Sequence, residues 1–422
     1  MTAAQRSIAT LLLGSGVLFL GYGLLVTLLP VRAQLEGFST TAIGIMGTAY
    51  FAGFTIGCLL GPRVVKRVGH IRCFAAFAAL TAAAVLAHPL MLDPPSWWLL
   101  RFLVGLCLAV LYMVVESWLN EESSNEIRGR VLSLYIIVAN VVTIGGQLML
   151  NLYDPQGTAL FSLVAMLIAL SLVPLSLTTA AAPKPVTVTT VDLPALYRLS
   201  PAGFVGCLLV GLVEGAFWSL GPVFAQDRGM PVSEITLFMS AFMVGGTLSQ
   251  WPLGRLSDRM DRRFVIAACG AGGLASGLAL SLLSLDSLPL QLALAAVHGA
   301  LMLPLYALCL AHANDYAPNE LLVQTSSGLL LVYGLGAVAG PVVVAPVMQH
   351  YGSGFLFLVI AAILGLLAAY CLFRLMRRPL LAALYRVAFV PVPKTTFSVY
   401  ALESDEPEGE AEASPEAASD RS

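Results

Sequence analysis

Charge is scarce in this chain. Its 22 Lys and Arg and 24 Asp and Glu make up only 11% of 422 residues, against about a quarter in an ordinary soluble domain. So few charges cannot make a polar skin around a soluble core of the size this length allows. The net charge of −2 comes with no basic stripe, which excludes nucleic acid as a partner. Histidine is rarer still, five in all, and no Ser/His/Asp arrangement sits on a recognisable motif, so no enzymatic activity is expected. The seven cysteines, Cys58, Cys73, Cys107, Cys207, Cys269, Cys309 and Cys371, have neither metal-ligand nor redox spacing. They read as apolar fillers, and neither a metal nor a cofactor is expected.

What the chain has is apolar length. It is 58% hydrophobic, with a mean hydropathy of +0.86. Twelve apolar runs follow one another, at 8–31, 41–62, 73–92, 97–118, 131–152, 158–178, 203–225, 235–253, 264–284, 288–311, 324–348 and 354–375. About 20 apolar residues at 1.5 Å rise cross a hydrocarbon core of about 30 Å. A segment in lipid must satisfy its backbone internally, so runs of this length are helices. Their internal Gly and Pro are ordinary in membrane helices. The first run exceeds a signal-peptide core and is followed by no convincing small-residue cleavage site, so it reads as a retained helix. The predicted fold class is an all-α membrane protein of twelve transmembrane helices.

Orientation follows from Lys and Arg in the short connections. Alternate connections are very unequal. One set carries Arg63, Lys66, Arg67 and Arg72, then Arg128 and Arg130, then Lys184 and Arg198, then Arg255, Arg259, Arg262 and Arg263; the other carries only Arg32 and Arg228. The first set is therefore expected in the cytoplasm. Twelve spans return both termini to that side, where Arg6, Arg374, Arg377, Arg378 and Arg386 agree. An integral protein of the plasma membrane, the inner membrane in a bacterium, is the expected localisation.

The chain also repeats itself. "GLCLAVLY" at 105–112 matches "GALMLPLY" at 299–306 with an offset of 194, and "KRVG" at 66–69 matches "DRMD" at 258–261 with an offset of 192. The Pro-, Thr- and Ala-rich stretch between the halves reads as a linker. The expected organisation is a six-helix half at 1–178, a cytoplasmic linker at 179–202, a second six-helix half at 203–378 and a tail at 379–422. Eight acids fall after Lys394 among Pro, Ser and Ala, so that part of the tail is expected to be disordered. Parallel repeats of this kind are an architecture of secondary transporters. Gly-rich strings such as "GAGGLASG" lie inside apolar runs with no strand before them, and read as close helix packing rather than phosphate loops.

One bend breaks the economy of charge: "GRLSDRMDRR", Gly254 to Arg263, carries six charges in ten residues. It resembles the motif between helices two and three of the major facilitator superfamily, in its second-half copy, with Asp261 where the second Gly is usual. The first-half copy, "PRVVKRVGHIR", keeps Arg67 and Gly69 but has Pro62 for Gly and Lys66 for Asp. "RFLVGLCLA" from Arg101 resembles the superfamily's fourth-helix motif, and "VVESWL…RGRVLSLY" with "SQWPLGRLSD" looks most like its YcaD-like branch. The fifth-helix antiporter motif is missing, the helix reading "VANVVTIGGQLML". The resemblance covers about residues 5–375 and implies two six-helix halves in a 6+6 arrangement around a central cavity lined by helices one, four, seven and ten.

Two groups of residues then become candidates. Lys66, Arg67, Glu116, Arg128, Arg130, Gly254, Asp258 and Arg259 would form a cytoplasmic gate. An Asp at a helix end can pair with nearby Arg and with a neighbouring helix end, and such pairs would hold the cytoplasmic faces of the halves together. The alternative is that these are solvated positive-inside residues. Exposed ion pairs are worth only about 0–1 kcal/mol, which suits a switch between balanced states. Within the spans an ionisable group costs about 3 kcal/mol or more and is a functional candidate by default. Arg101, Glu214 and His298 are such groups, on helices four, seven and ten; Trp218, Tyr22 and Tyr306 would add cavity walls. Snorkelling for Arg101, a bonded neutral acid for Glu214 and packing for the rest are the bland alternatives. Asn140 and Gln147 are expected to bond between helices.

The resemblance implies a transporter of a small molecule by alternating access. Protons are the expected coupling ion, because the sequence shows no nucleotide-binding module and places titratable residues within the spans. Glu214 would carry the proton, His298 relay it, and Arg101 compete for the carboxylate or bind an anionic group. It is expected to act as a monomer in the bilayer. A membrane sensor that keeps the fold without net transport is the other reading.

Overall fold

The computed structural model describes residues 3–124, 126–176, 192–283 and 287–377. Twelve helices in it are long and apolar enough to span a membrane, and each apolar run of the sequence falls on one of them. Spans 1 to 6 are Ala3–Leu35, Thr40–Val68, His70–Ala87, Pro94–Glu121, Arg128–Leu148 and Ala159–Ser176. Spans 7 to 12 are Pro201–Asp227, Val232–Arg259, Arg262–Leu282, Leu288–Asn314, Leu322–Tyr351 and Phe355–Arg377. An even number of crossings puts both ends of the bundle on one face, the termini face; the opposite side is the far face.

Span ends carry ordinary helix signals. The Ser39, Asp93 and Ser200 side chains accept from the Ala42, Ser96 and Gly203 amides, with Pro next to the cap at Pro94 and Pro201. These caps satisfy donors that a helix start leaves open. Gly69 alone links spans 2 and 3, and its φ of +90° explains why Gly stands there. The equivalent link between spans 8 and 9 has two residues, Met260 and Asp261, and needs no positive φ. Asp261 instead accepts from the Arg263 amide at 2.8 Å and caps span 9, which accounts for its place in the repeat.

Two details differ from the sequence reading. Span 10 is not one helix: it breaks at Leu303 and Pro304, between Leu288–Met302 and Leu305–Asn314, because proline has no N–H to donate and its ring crowds the preceding turn. The stretch read as linker contains a short helix, Leu193–Leu199, capped by Asp192. The rest of that linker, residues 177–191, and the tail from 378 onward lie outside the described residues.

The repeat is visible in the packing. Span 4 lies on span 2, and span 10 on span 8. A Cβ at Gly105 would land on the Tyr50 carbonyl oxygen, and one at Gly299 on the Phe242 carbonyl oxygen, so both crossings depend on the same backbone approach. Gly299→Ala is expected to cost about 1–3 kcal/mol by overpacking. Thermal unfolding in detergent measures this, with Gly129→Ala as control, since a Cβ there meets nothing within 4 Å. Equal midpoints for the two variants would contradict the close approach.

Between the halves, span 2 packs on span 11 and span 5 on span 8. Hydrogen bonds cross between the halves on the far-face side of these spans. Thr48 donates to the Val338 carbonyl and the Thr41 amide to Gln349, each at 2.9 Å. Asn151 donates to Thr236 at 2.9 Å and Ser240 to Gln147 Oε1 at 3.3 Å. The Gln34 amide also donates to Asp227. Gln147 thus bonds between helices as expected, across the seam of the molecule.

Candidate functional site

A cavity of about 250 Å3 lies between the halves. Spans 1, 2, 4 and 5 form one wall and spans 7, 8, 10 and 11 the other. Its lining runs from mid-span toward the termini face, through Cys58, Tyr135 and Gln250, while the hydrogen bonds just described close the far face.

The two walls differ in kind. The N-terminal wall is a continuous aromatic surface. Tyr135 meets Phe19 at 5.6 Å between ring centroids, Phe19 stacks on Tyr112 at 5.1 Å, and Tyr22 meets Tyr112 edge-on at 6.2 Å and Tyr50 at 6.4 Å. Such pairs hold their rings in fixed mutual orientations. The C-terminal wall carries Glu214, Trp218 and Tyr333. Glu214 sits at the middle of span 7, only 1% exposed. Gly211 and Gly215 beside it let span 11 approach until a Cβ at either would meet the Tyr333 or Ala337 carbonyl oxygen. That approach brings Tyr333 to Glu214, and its hydroxyl donates to Glu214 Oε2 at 2.7 Å. Asn140, expected only to bond between helices, also lines the cavity.

Three of the six residues expected at the site, Glu214, Trp218 and Tyr22, line this cavity. Tyr306 stands one layer back, its ring 4.9 Å from that of Tyr333. Arg101 is 5% exposed and lies behind Tyr50, its guanidinium carbon 4.3 Å from the ring centroid. The cation–π contact accompanies Nε and Nη1 atoms that are buried without hydrogen bonds. The guanidinium is therefore not snorkelling, and Tyr50 stands between it and the cavity. His298 is placed elsewhere. Its Nδ1 is 2.8 Å from Ser276 Oγ on span 9, and its ring meets Phe357 of span 12 at 5.4 Å. It is packed inside the C-terminal half, where the break in span 10 has not turned it to the cavity, so it cannot relay a proton to Glu214 directly.

The sequence missed Tyr333, Tyr112 and Tyr135. The available signal was that each lies on a span with a buried acid or its neighbour, but one aromatic in an apolar helix resembles any other.

The charged bend is organised around Arg262. This residue is 1% exposed. Its Nε donates to Asp315 Oδ2 at 2.8 Å, its Nη1 to Ser257 at 3.1 Å, and its Nη2 lies 3.2 Å from Asp258. Arg263 pairs with Asp261 at 2.7 Å and donates to the Arg374 carbonyl at 3.1 Å. Burial opposes ionisation of Asp261, but the hydrogen bonds from Arg263 outweigh it and hold the carboxyl below its usual range. The stabilisation is present above the ordinary carboxylate range and is lost as pH falls through the depressed value. Pairing of the acids with nearby Arg and with helix ends is as expected. The correction concerns what is joined: these pairs tie spans 8, 9, 10 and 12 of one half together and do not require the other half.

Glu116 also departs from expectation. It is 0% exposed, and Tyr135 donates to its Oε1 at 3.2 Å, so it is neither a solvated acid nor a surface latch. Arg128 is partly buried and donates to the Ser123 carbonyl at 3.4 Å. Lys66, Arg67, Arg130 and Arg259 are exposed, and Gly254 is buried. In the N-terminal half the position of Arg262 is taken by His70, buried at 3% and 3.3 Å from Ser117 Oγ. All seven cysteines are buried. Among the described residues no group of three or more His, Cys, Asp or Glu is placed to hold a metal ion.

Known proteins resemble the chain in both sequence and fold. The sequence profile of the Major Facilitator Superfamily matches residues 11–199 and 203–397. The MFS-type transporter YcaD of Escherichia fergusonii is 30% identical over 365 residues, 86% of this chain and 94% of that protein. The YcaD of Shigella sonnei matches with the same identity and coverage. Among solved structures, the nucleoside transporter NupG superposes with a TM-score of 0.76 at 14% identity, over 87% of this chain and 100% of its own. A POT family peptide transporter superposes with a TM-score of 0.71 at 12% identity, over 91% and 99%. The profile takes in both six-helix halves and the fold agrees with it: this chain is a membrane transporter of the major facilitator superfamily, similar to its YcaD branch.

Proposed function

We propose that the protein is a proton-coupled secondary transporter that moves a small solute by alternating access, with Glu214 as the proton site. One observation carries the reading: a carboxyl buried at mid-span lines a cavity that both halves enclose and that hydrogen bonds between them close on one face. An acid so placed can take a proton from one side and give it up when the cavity turns to the other. The Tyr333 hydroxyl donates to it and, being an acceptor as well, can take a hydrogen bond from the protonated carboxyl. The termini face is the cytoplasmic one, because the connections on it carry the Lys and Arg, and the conformation described is cytoplasm-facing. In a bacterium the membrane is the inner one.

Uptake into proteoliposomes under an imposed pH gradient tests the reading; a signalling protein of the same fold would accumulate nothing. Orientation is tested separately. Reporter fusions after Arg72, Arg130 and Arg263 are expected to report cytoplasm, and those after Glu36, Asp154 and Arg228 periplasm. One reproducible inversion refutes the topology. A third result concerns the far-face closure. The Thr41 amide and Gln349 meet across the halves at 2.9 Å, so an oxidised Thr41→Cys/Gln349→Cys pair is expected to arrest transport nearly completely, with reductant restoring it. Undiminished transport by the cross-linked protein would show that this face never opens.

A further inference from the structure

We propose that the central cavity takes an organic monocation with an aromatic or otherwise apolar body and no anionic group. The inference rests on the reading of Glu214 as the titrating site and names what exchanges with its proton.

Charge is the first argument. Among the described residues, Glu214 is the one Asp, Glu, Lys, Arg or His on the cavity wall. A carboxylate on the ligand would meet that acid, and no Lys, Arg or His is among the described residues that line the cavity to receive it. Arg101 cannot serve a zwitterion in this conformation, since its guanidinium is behind the Tyr50 ring. Behind the aromatic wall the buried Arg101 at Tyr50 and Glu116 at Tyr135 carry opposite charges and offset each other, which leaves Glu214 as the charge that faces a ligand.

The shape of the wall is the second argument. Aromatic faces attract cations through their quadrupoles, most strongly when water is excluded. Here Tyr22, Tyr112 and Phe19 of one half face Trp218 and Glu214 of the other across the cavity. Tyr112, which lines the cavity, has a buried hydroxyl without a hydrogen-bond partner. At about 250 Å3 the space is near the small end for ligand pockets, which suits a body of one or two rings.

The exchange balances. The proton leaves the Glu214 carboxyl for water on the open side, and the cation takes its place beside the carboxylate, one positive charge for one. Proton and solute then compete for a single group, which makes the transporter an antiporter.

The test is calorimetric titration of the full-length protein in detergent with 1-methylquinolinium and benzyltrimethylammonium, against neutral quinoline and anionic 1-naphthoate. At about pH 8 the cations are expected to bind at least about tenfold more tightly than the neutral and anionic probes. Acidification is expected to weaken the cations, approaching about tenfold for each pH unit once protons occupy the carboxylate. Glu214→Gln is expected to remove both the preference and its pH dependence. Equal binding of quinoline, preference for 1-naphthoate, or no cation binding at millimolar concentration overturns the proposal. The comparison of probes in the unaltered protein needs no variant to fold. Infrared titration of the Glu214 carboxyl without ligand separates the two ideas. If the carboxyl titrates but cations are not preferred, the substrate class fails and the coupling site stands. If cations are preferred but the carboxyl never titrates, the coupling site fails.

Discussion

Glu214→Gln is expected to abolish accumulation driven by a pH gradient while leaving exchange or downhill flux measurable at solute concentrations high enough to offset the weaker binding. Gln has nearly the shape of Glu, and its carbonyl can still accept from Tyr333, so the contact between spans 7 and 11 survives. What it cannot do is release a proton. A gradient of one pH unit is worth about 1.4 kcal/mol per proton, or about tenfold accumulation. The accumulation ratio of the variant is expected to fall to about one, the value for a coupling free energy of zero. Counterflow of labelled solute measures the surviving exchange. A variant that accumulates normally would make Glu214 structural and place coupling elsewhere. Loss of both accumulation and exchange would make it a group that the cycle cannot do without in any form.

Arg262→Met is expected to give the largest loss of stability, about 3–5 kcal/mol. The residue is nearly fully buried, and so is its partner Asp315, whose side chain is 4% exposed. Removing the guanidinium leaves a desolvated carboxylate without its cation, which costs more than the intact pair contributes. For a half of this size the thermal midpoint is expected to fall on the order of 10 °C. The double variant Arg262→Met/Asp315→Leu is expected to recover much of that, because the desolvated carboxylate is gone and Asp258, whose side chain is 36% exposed, can be met by water. Asp258→Asn is the contrast. That side chain is 36% exposed and Arg262 keeps Asp315 in the variant, so the loss is expected to be about 1 kcal/mol. A shift of only a degree or two for Arg262→Met would mean that water replaces the pairs at no cost.

Sequence patterning carried the spans, their grouping into halves and the presence of a charged bend, because membrane length and loop charge are written in runs of residues. It could not supply rotation about each helix axis. Glu214 and His298 show why. Both are single polar residues at the middle of spans that are apolar on every side, so no amphipathic stripe says which way either faces. The structure turns one to the cavity and buries the other against Ser276 and Phe357. The same limit hid the aromatic wall, since Phe19, Tyr112 and Tyr135 come from three spans and meet only in the packed bundle. Glu116 was misjudged for another reason. Its closeness to the helix end suggested exposure, but the turn that follows it carries the exposed surface, and Tyr135 covers the carboxyl. Pro304 marks the break in span 10, but proline is common enough in membrane helices that it does not by itself announce one.

The Arg262 cluster has a mechanical consequence. At equivalent positions the C-terminal half has a buried ionic node reaching Asp258, Asp315 and Ser257, with Arg263 alongside on Arg374, and the N-terminal half has one neutral contact between His70 and Ser117. Displacing a helix end from a desolvated ionic node strands charge, whereas a neutral imidazole–hydroxyl contact can be exchanged for water at little cost. The two halves therefore share a fold but differ in compliance at the termini face. Under load at that face the ends of spans 8, 9, 10 and 12 are expected to resist displacement together, and the contact between spans 3 and 4 at His70 is expected to yield first.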